Sequence, residues 1–571
     1  MRNAEVAALL YEIADLLELK GEMVFKVRAY RRAAQVIESL GRPIEDAWQE
    51  GRLEEIQGVG RGIAEHIDEF LRSGKSEYYE KMKKTMPMDV ESLMRIEGMG
   101  PKKVKLLFDK LRIKTVKDLE AAARSGKIRV LPGMGEKTEQ NILKGIEFAQ
   151  KSGGRLLLGR ALPIAEEIVE NLRKLKYVNH VNYAGSLRRM KETIGDIDIL
   201  VTSSDEKKVI DFFTKMPVVT DVIAQGPTKS SVHIQGGTQV DLRVLPESRY
   251  GSALMYFTGS KEHNIELRKI AIAKKWKLSE YGLFSGNRII AGRTEEEVYK
   301  KMGLSYIEPE MREARGEIEL AQKNRLPDLV TLKDIKSDLQ MHTKWSDGVN
   351  TVEEMALAAK KLGYEYICIT DHAGNLLVAN ALDAKRLDQQ RKEIEKSDKK
   401  IPGIKILQGA EIDIRADGKL DLKNDVLKEL DIVLASLHSA LKLPEEKQTS
   451  RILAAMDNEH IDIIAHPTGR LIDRREGAQL DFRRIFEKAI ETGTVIEINA
   501  QPDRMDLNDV NAFAAREAGC ALSIGTDSHS TDQLRAMRLG VGIARRAWCT
   551  KKEIVNTLPY KDFAKKFGIK K

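Results

Sequence analysis

Gly185-Ser186-Leu187-Arg188-Arg189, followed shortly by Gly195-Asp196-Ile197-Asp198-Ile199-Leu200-Val201, decides how the middle of this 571-residue chain is read. Side chains two apart on a strand share a face, so Asp196 and Asp198 project together while Ile197 and Ile199 pack behind them. Paired carboxylates suit a two-metal phosphoryl-transfer site. There, oxygen ligands hold Mg²⁺ against triphosphate charge, and one ion lowers the pKa of an attacking hydroxyl. A third carboxylate on an adjacent strand would complete the site, and Asp241, flanked by Val240 and Leu242 in a second strand-like run, is the candidate. Alone, Asp-x-Asp describes a solvated surface strand better; the Gly-Ser and the arginine pair ahead of it reverse that balance.

Outward from this stretch, the length predicts about three to five domains and the 42% hydrophobic content is ample for buried cores. No run approaches the ~20 apolar residues of a membrane span, and Met1-Arg2-Asn3-Ala4-Glu5 lacks a signal pattern, so a cytosolic protein is expected. Cys368, Cys520 and Cys549 are too few and too unpatterned for a disulfide framework or a cysteine zinc site. The formal charge of +8 is uneven: residues 331–571 hold 39 Lys and Arg against 38 Asp and Glu, leaving +7 in residues 1–330. A polyanion partner is expected in that first part.

Residues 1–150 read as short amphipathic helices broken by glycines at 21, 41 and 51, and β-rich runs begin near residue 155. Ile56-Gln57-Gly58-Val59-Gly60, Ile96-Glu97-Gly98-Met99-Gly100 and Leu131-Pro132-Gly133-Met134-Gly135 form a repeat, with Lys102, Lys103 and Lys137 after two of the copies. A lone Gly-x-Gly is an ordinary turn. Three copies, each leading into an amphipathic helix, resemble helix-hairpin-helix motifs, which bring backbone N–H groups and a helix N-terminus to a phosphate without reading bases. Residues 308–333, charged and broken by Pro309 and Pro327, read as an interdomain linker. Beyond them, strand-like runs at 366–370, 431–435, 462–465 and 495–498 alternate with helical ones, predicting a parallel α/β barrel or open sheet. His342 and Asp347, Thr370-Asp371-His372, Gly409-Ala410-Glu411, Ser436-Leu437-His438, Ala465-His466-Pro467 and Asp527-Ser528-His529 fall at or near such strand ends. In a βα barrel these ends converge on one mouth. Imidazoles and carboxylates without cysteine suit Mn²⁺, Zn²⁺ or Fe²⁺ and phosphate ester hydrolysis, while His460 belongs to no motif.

Gly-Ser-x-x-Arg, Gly-Asp-x-Asp, Asp241-Leu242-Arg243 and Tyr256-Phe257-Thr258-Gly259-Ser260 together resemble a family X DNA polymerase over residues 1 to about 318. The resemblance implies that Asp196, Asp198 and Asp241 bind two catalytic Mg²⁺, with Asp241 oriented toward the primer 3′-hydroxyl. It places Ser186, Arg189 and Gly195 at the nucleotide triphosphate, and Tyr256, Phe257 and Gly259 beside its sugar. Asn264 and Arg268 would probe the minor-groove edge, while Gly58, Gly60, Gly98, Gly100, Gly133, Gly135, Lys102 and Lys103 would hold DNA. The lyase of related repair polymerases uses a Schiff-base lysine where this chain has His66, which cannot form the imine. The expectation is therefore 5′-phosphate binding through Lys26, Tyr30 and Arg31 without strong lyase chemistry, and His66 reads as a solvated helix residue.

Residues 334–571 resemble the PHP (polymerase and histidinol phosphatase) family. That resemblance implies a distorted (β/α)7 barrel with two or three metal ions held by His342, Asp347, His372, Glu411, His438, His466, Asp527 and His529. The family opens with His-x-His, and here the first position is Gln340, a poorer ligand. The combination implies a multidomain α/β protein. Residues 1–85 would be a lyase-like helical domain, 86–150 helical hairpins, 151–250 a palm, 251–318 a thumb-like domain, 319–333 a linker and 334–571 the barrel. It further implies a monomeric repair enzyme acting on gapped or primer-template DNA and dNTPs. The barrel would serve as a 3′-5′ exonuclease that also processes 3′ ends or abasic sites. The rivals are a template-independent nucleotidyltransferase and a DNA-binding scaffold with a small-ester phosphatase.

Overall fold

The computed structural model describes residues 3–38, 44–56, 58–73, 76–86, 88–94, 96, 99–136, 138–140, 142–143, 146, 155–234, 237–376, 379–472 and 477–569. Up to residue 146 the described elements are helical, with Asn3–Lys20, Val24–Glu38, Arg61–Ser73 and Pro101–Leu111 the longest. Their apolar stripes close on one another in a core that includes Leu10, Ile13, Ile37 and Ile67. Helix Val116–Arg124 begins where Thr115 and Asp118 exchange side-chain-to-backbone hydrogen bonds, satisfying N–H groups that the first turn leaves without partners.

A five-stranded sheet follows, ordered Val178–Tyr183, Asp196–Ser203, Gln239–Leu245, Lys229–Ile234, Val219–Gln225. Its second and third strands run parallel and the other neighbours antiparallel. Ile197, Ile199, Val240 and Leu242 pack into one core with Leu162, Ile168 and Phe213 of the covering helices. The alternation of the strand sends the aspartates to the opposite face, where Leu200 meets Ala184, Ala253 and Leu254. Helices Tyr250–Thr258, Lys261–Ala273 and Glu295–Met302 then pack around the antiparallel meander Trp276–Ser279, Gly282–Ser285, Arg288–Ala291.

The C-terminal sheet runs, all parallel, Ser337–Asp338, Tyr366–Ile369, Lys405–Asp413, Ile432–Ser436, Ile463–Ile464, Val495–Asn499, Leu522–Gly525. Buried on both faces, these strands show no polar alternation: Tyr366 and Cys368 pack with Phe563, while Ile367 and Ile369 join the core on the other side. The His342 N–H donates to the Ser528 carbonyl at 2.8 Å, and Met341 bridges Ser528, joining the first strand to the last. The sheet is thus a nearly closed seven-stranded barrel, and the expected fold class is the one adopted.

The charged stretch 308–333 departs from expectation. It forms the turn Pro309–Met311 and helix Glu317–Gln322, and it buries Arg312, Glu317, Ile318 and Val330. The Val330 N–H donates to the Cys549 carbonyl at 2.9 Å. Its charges are paired rather than solvated: Arg312 and Arg188 each reach the Glu295 carboxylate at 2.6 Å. Palm and barrel share one apolar core. At their contact Met190 lies so close to Gly542 that a Cβ there would stand 2.7 Å from its side chain. Among the described residues no helix is long and apolar enough to cross a membrane.

Candidate active sites

In the palm, the parallel pairing makes Asp198 the register partner of Asp241. The Ala184 N–H donates to the Asp198 carbonyl at 2.8 Å, which sets the turn Gly185–Arg188 over the strand. Gly185 has φ +63°, and a Cβ on it would stand 2.9 Å from Asp198 Oδ2, so only glycine lets the turn close over this carboxylate. Ser186 lies half-buried in the turn, and exposed Gly195 lies beside Arg155. Burial, reinforced by the Asp196 and Asp241 charges, pushes Asp198 up to about 7. Burial would raise Asp241 too, but hydrogen bonds from Ser231, Gln239 and Lys229 hold it below the usual range. Gln239 Nε2 donates to it at 2.8 Å and Lys229 Nζ lies 3.1 Å away. Three crowded carboxylates, one driven toward neutrality, are what a divalent cation relieves.

A cavity of about 270 Å³ is lined by Arg189, Tyr256, Phe257, Gly259, Asn264 and Arg268, together with Lys261. Residues separated by some eighty positions in sequence are thus brought to one wall. Asn264 Nδ2 donates to the Tyr256 carbonyl at 2.7 Å, and the Arg243 guanidinium lies 4.6 Å from the centre of the Phe257 ring. Arg189 donates to the Thr258 carbonyl and, through Nε, to Glu313 at 3.0 Å. Lys229, Lys261 and Glu313 escaped the sequence reading. Lys261 directly follows Gly259-Ser260 and was within reach, whereas the other two are neighbours only in space.

The barrel mouth gathers all eight expected ligands. Three groups have ligand atoms within 4.8 Å of one another: His342, Asp347, His372 and His529; His372, Glu411 and His438; His342, Glu411 and Asp527. His466 Nε2 joins them at 2.8 Å from Glu411 Oε1. Glu411 is central, with His438 Nε2 at 3.1 Å, His342 Nε2 at 3.4 Å and His372 Nδ1 at 3.6 Å. Burial would raise its carboxyl, but His372, His466 and His438 hold it well below the usual range. His438 is desolvated as well, yet Glu411 and Asp413 raise it to about 9, while burial drives His372 down to about 4. Both ring nitrogens of His342, Nδ1 of His372 and Nδ1 of His466 are buried without a hydrogen-bond partner. The orphaned nitrogens of His342 and His372 face Asp347, Glu411 and Asp527 at 3.1 to 3.8 Å, an arrangement costly without a cation, so the residues fit a metal centre. The floor is closed, with His342 at 0% exposure, and the rim is open at Asp347 (33%) and His529 (30%), where a substrate can enter.

Gln340 does not stand in for the family histidine. Its Nε2 donates to Glu411 Oε2 at 3.1 Å and its Oε1 accepts from Asn499 Nδ2 at 3.2 Å, so the amide orients ligands. Asn499 also donates to Asp527 Oδ2 at 3.2 Å, and Asp413 accepts the His438 N–H at 2.9 Å. These supporting groups were missed, although Asp413, two residues after Glu411 on one strand, carried the period-two signal.

Five family models match: helix-hairpin-helix domain at 1–76, SAM-like helix-hairpin-helix tandem at 90–147, DNA polymerase beta palm at 161–235, DNA polymerase beta thumb at 253–313 and PHP domain at 338–501. The chain is 39% identical over 566 residues to the DNA polymerase/3'-5' exonuclease PolX of Bacillus subtilis strain 168, covering 98% of each. The chain belongs to the family X DNA polymerases that carry a C-terminal PHP domain. Part of this family X chain also aligns elsewhere. A probable phosphatase of Thermoanaerobacter sp. strain X514 is 31% identical over 38% of the chain and 89% of its own length. DNA polymerase lambda of Rattus norvegicus is 25% identical over 54% and 56%.

The helical modules of this family X chain show one turn three times: Val59, Met99 and Met134 N–H groups donate to the carbonyls of Ile56, Ile96 and Leu131 at 2.9, 3.0 and 3.0 Å. Gly58 and Gly133 have φ +88° and +75°, whereas Gly98 and Lys137 lie outside the described residues. At Gly60, Gly100 and Gly135 nothing lies within 4 Å of where a Cβ would stand, so the fold itself does not demand glycine there. A phosphate approaching the backbone would. Lys102 is exposed and Lys103 half-buried at the start of Pro101–Leu111.

His66 is a correction. It is stacked between Tyr78, with ring centroids 4.3 Å apart, and Tyr30 at 6.2 Å, and burial lowers its pKa. An aromatic slot, invisible in helical periodicity, replaces the solvated position. Tyr30 is itself buried beneath it, and Arg31 is tied to Asp15 at 2.8 Å and Glu18 at 2.7 Å. Lys26, 5.9 Å from the Tyr78 ring centre, remains the cation beside the slot.

Proposed function

We propose that this chain is a DNA-directed DNA polymerase that fills short gaps during repair, joined to a metal-dependent 3′-5′ exonuclease that also trims blocked 3′ ends and cuts at abasic sites. The observation that carries it is the pairing of Asp198 with Asp241 in a chain whose barrel gathers eight further ligands at one mouth. Both activities belong to divalent-metal chemistry. When bound, Mg²⁺ held by Asp196, Asp198 and Asp241, and two or three Mn²⁺, Zn²⁺ or Fe²⁺ in the barrel, would supply Lewis acidity at the phosphoryl oxygens and an activated oxygen nucleophile.

The protein's own groups do the rest. Asp241, fixed by Gln239 and Lys229, faces the primer 3′-hydroxyl, and Ser186, Arg189 and Gly195 hold the triphosphate. Tyr256, Phe257 and Gly259 crowd the sugar, while Asn264, pinned to the Tyr256 carbonyl, and Arg268 read the nascent pair. The hairpin glycines, with Lys102 and Lys103, grip gapped DNA, and Lys26 takes its 5′ phosphate. The protein acts as a monomer, with its units at 1–85, 86–150, 151–250, 251–318 and 334–571.

Extension and degradation of a one-nucleotide gap, with Mg²⁺ and Mn²⁺ tested separately, examine both assignments. Asp196→Ala should abolish extension and spare degradation; His342→Ala and His438→Ala should do the converse. Extension by pure Asp196→Ala protein would sink the polymerase assignment. Extension of single strands as fast as gapped DNA would favour the template-independent reading. Turnover of small phosphate esters without attack on DNA ends would replace the nuclease.

A further inference from the structure

The stretch that composition marks as a linker holds a carboxylate shared between the palm and the barrel. Glu313 Oε1 accepts from Arg189 Nε at 3.0 Å and from Arg546 Nη1 at 2.9 Å. Arg546, the last residue of the barrel helix Met537–Arg546, is 1% exposed. It also donates to the Arg189 carbonyl at 2.7 Å, and its Nη2 and Nε donate to Asp509 at 2.7 and 3.1 Å. Arg315 reaches the same Asp509 oxygen at 3.2 Å. One planar guanidinium of the barrel therefore grips both the main chain of Arg189 and the carboxylate that orients its side chain.

Charge gives this arrangement a direction. Three guanidiniums, of Arg189, Arg315 and Arg546, face two carboxylates, Glu313 and Asp509, with the Lys191 ammonium nearby. Because Arg546 compensates Glu313, the positive excess is left to Arg189, which lines the 270 Å³ cavity with Tyr256, Phe257 and Asn264. Without Arg546, Glu313 becomes a full counterion for Arg189 and competes with any anion in the cavity.

We propose that Arg546 of the PHP barrel is a positioning residue of the polymerase nucleotide site, holding Arg189 oriented and charged toward the nucleotide triphosphate. This rests on the reading of Arg189 as a triphosphate contact. It makes the barrel a structural part of nucleotide binding, separately from its own metal centre.

The test is steady-state filling of a one-nucleotide gap by the full-length protein, with dNTP KM and kcat resolved and 3′-5′ degradation followed in parallel. Arg546→Met should raise dNTP KM about tenfold, the worth of one charge-assisted contact, and leave kcat and degradation within about twofold. Arg546→Lys keeps the charge with fewer bonds and should raise KM only about threefold. In an Arg189→Ala background neither change should raise KM further, because both act through Arg189. If Arg546→Met does not fold, the lysine variant decides: an unchanged KM overturns the proposal. So does an effect equally large in the Arg189→Ala background, which would mark a merely structural role. If Arg189→Ala itself leaves KM unchanged, the triphosphate reading fails; if Arg189→Ala raises KM and Arg546→Met does not, this proposal alone fails.

Discussion

Gly185→Ala tests whether the Gly-Ser turn is shaped by the carboxylate beneath it. Gly185 has φ +63°, where an L-residue with a Cβ costs about 1 kcal/mol. The new Cβ would stand 2.9 Å from Asp198 Oδ2, against roughly 3.4 Å for an ordinary contact, so the carboxylate or the turn must shift by about 0.5 Å. The Ala184 bond to the Asp198 carbonyl fixes the turn from behind, which leaves the carboxylate to move. Misplacement on the order of 1 Å costs about a hundredfold, so a shift of about half that should lower the polymerisation rate about tenfold. The assay is single-turnover gap filling at saturating dNTP, with 3′-5′ degradation as the internal control. Degradation should stay at the wild-type rate, since the histidine centre lies in a separate barrel with its own ligands. Gap filling within about twofold of wild type would refute the reasoning, because the Asp198 position could then not be what the glycine protects.

Glu411→Gln removes the carboxylate that touches four imidazoles; degradation should fall about a hundredfold or more and bound metal per chain should drop by elemental analysis, with gap filling retained. Gly60→Ser with Gly100→Ser should leave thermal stability within about 0.5 kcal/mol, because serine is a good N-cap and the space is open. Gapped-DNA affinity by fluorescence anisotropy should nevertheless fall about tenfold as the side chains block phosphate approach. Glu295 is desolvated, yet Arg312 and Arg188 hold it at about 2, below its ordinary 4.5. A depressed folded value means its stabilisation, about 3 kcal/mol, is complete above pH 4.5 and lost as pH falls toward 2. Thermal unfolding between pH 6 and 3 should show that slope, and Glu295→Gln should be less stable at pH 7 by about 3 kcal/mol or more and shallower in acid.

Motifs that act through local geometry were legible in the sequence. Strand alternation alone put Asp196 and Asp198 on one face, the repeated Gly-x-Gly announced turns closed by the same backbone hydrogen bond, and histidines at strand ends announced a shared barrel mouth. Each of those signals is written in a few consecutive residues, which a chain carries in its order. Tertiary structure alone decided the rest. Lys229 meets Asp241 through strand pairing, Gln340 turns its amide to Glu411 because Asn499 takes its oxygen, and half-buried His66 stacks between two tyrosines. The charged stretch after residue 308 is the clearest case. By composition it looks solvated, because burying single charges is costly, but Arg312 finds Glu295, and Glu313 finds Arg189 and Arg546. Complementary charges brought together from positions 17 to 233 apart make burial tolerable, and no local pattern records which partner a charge will meet.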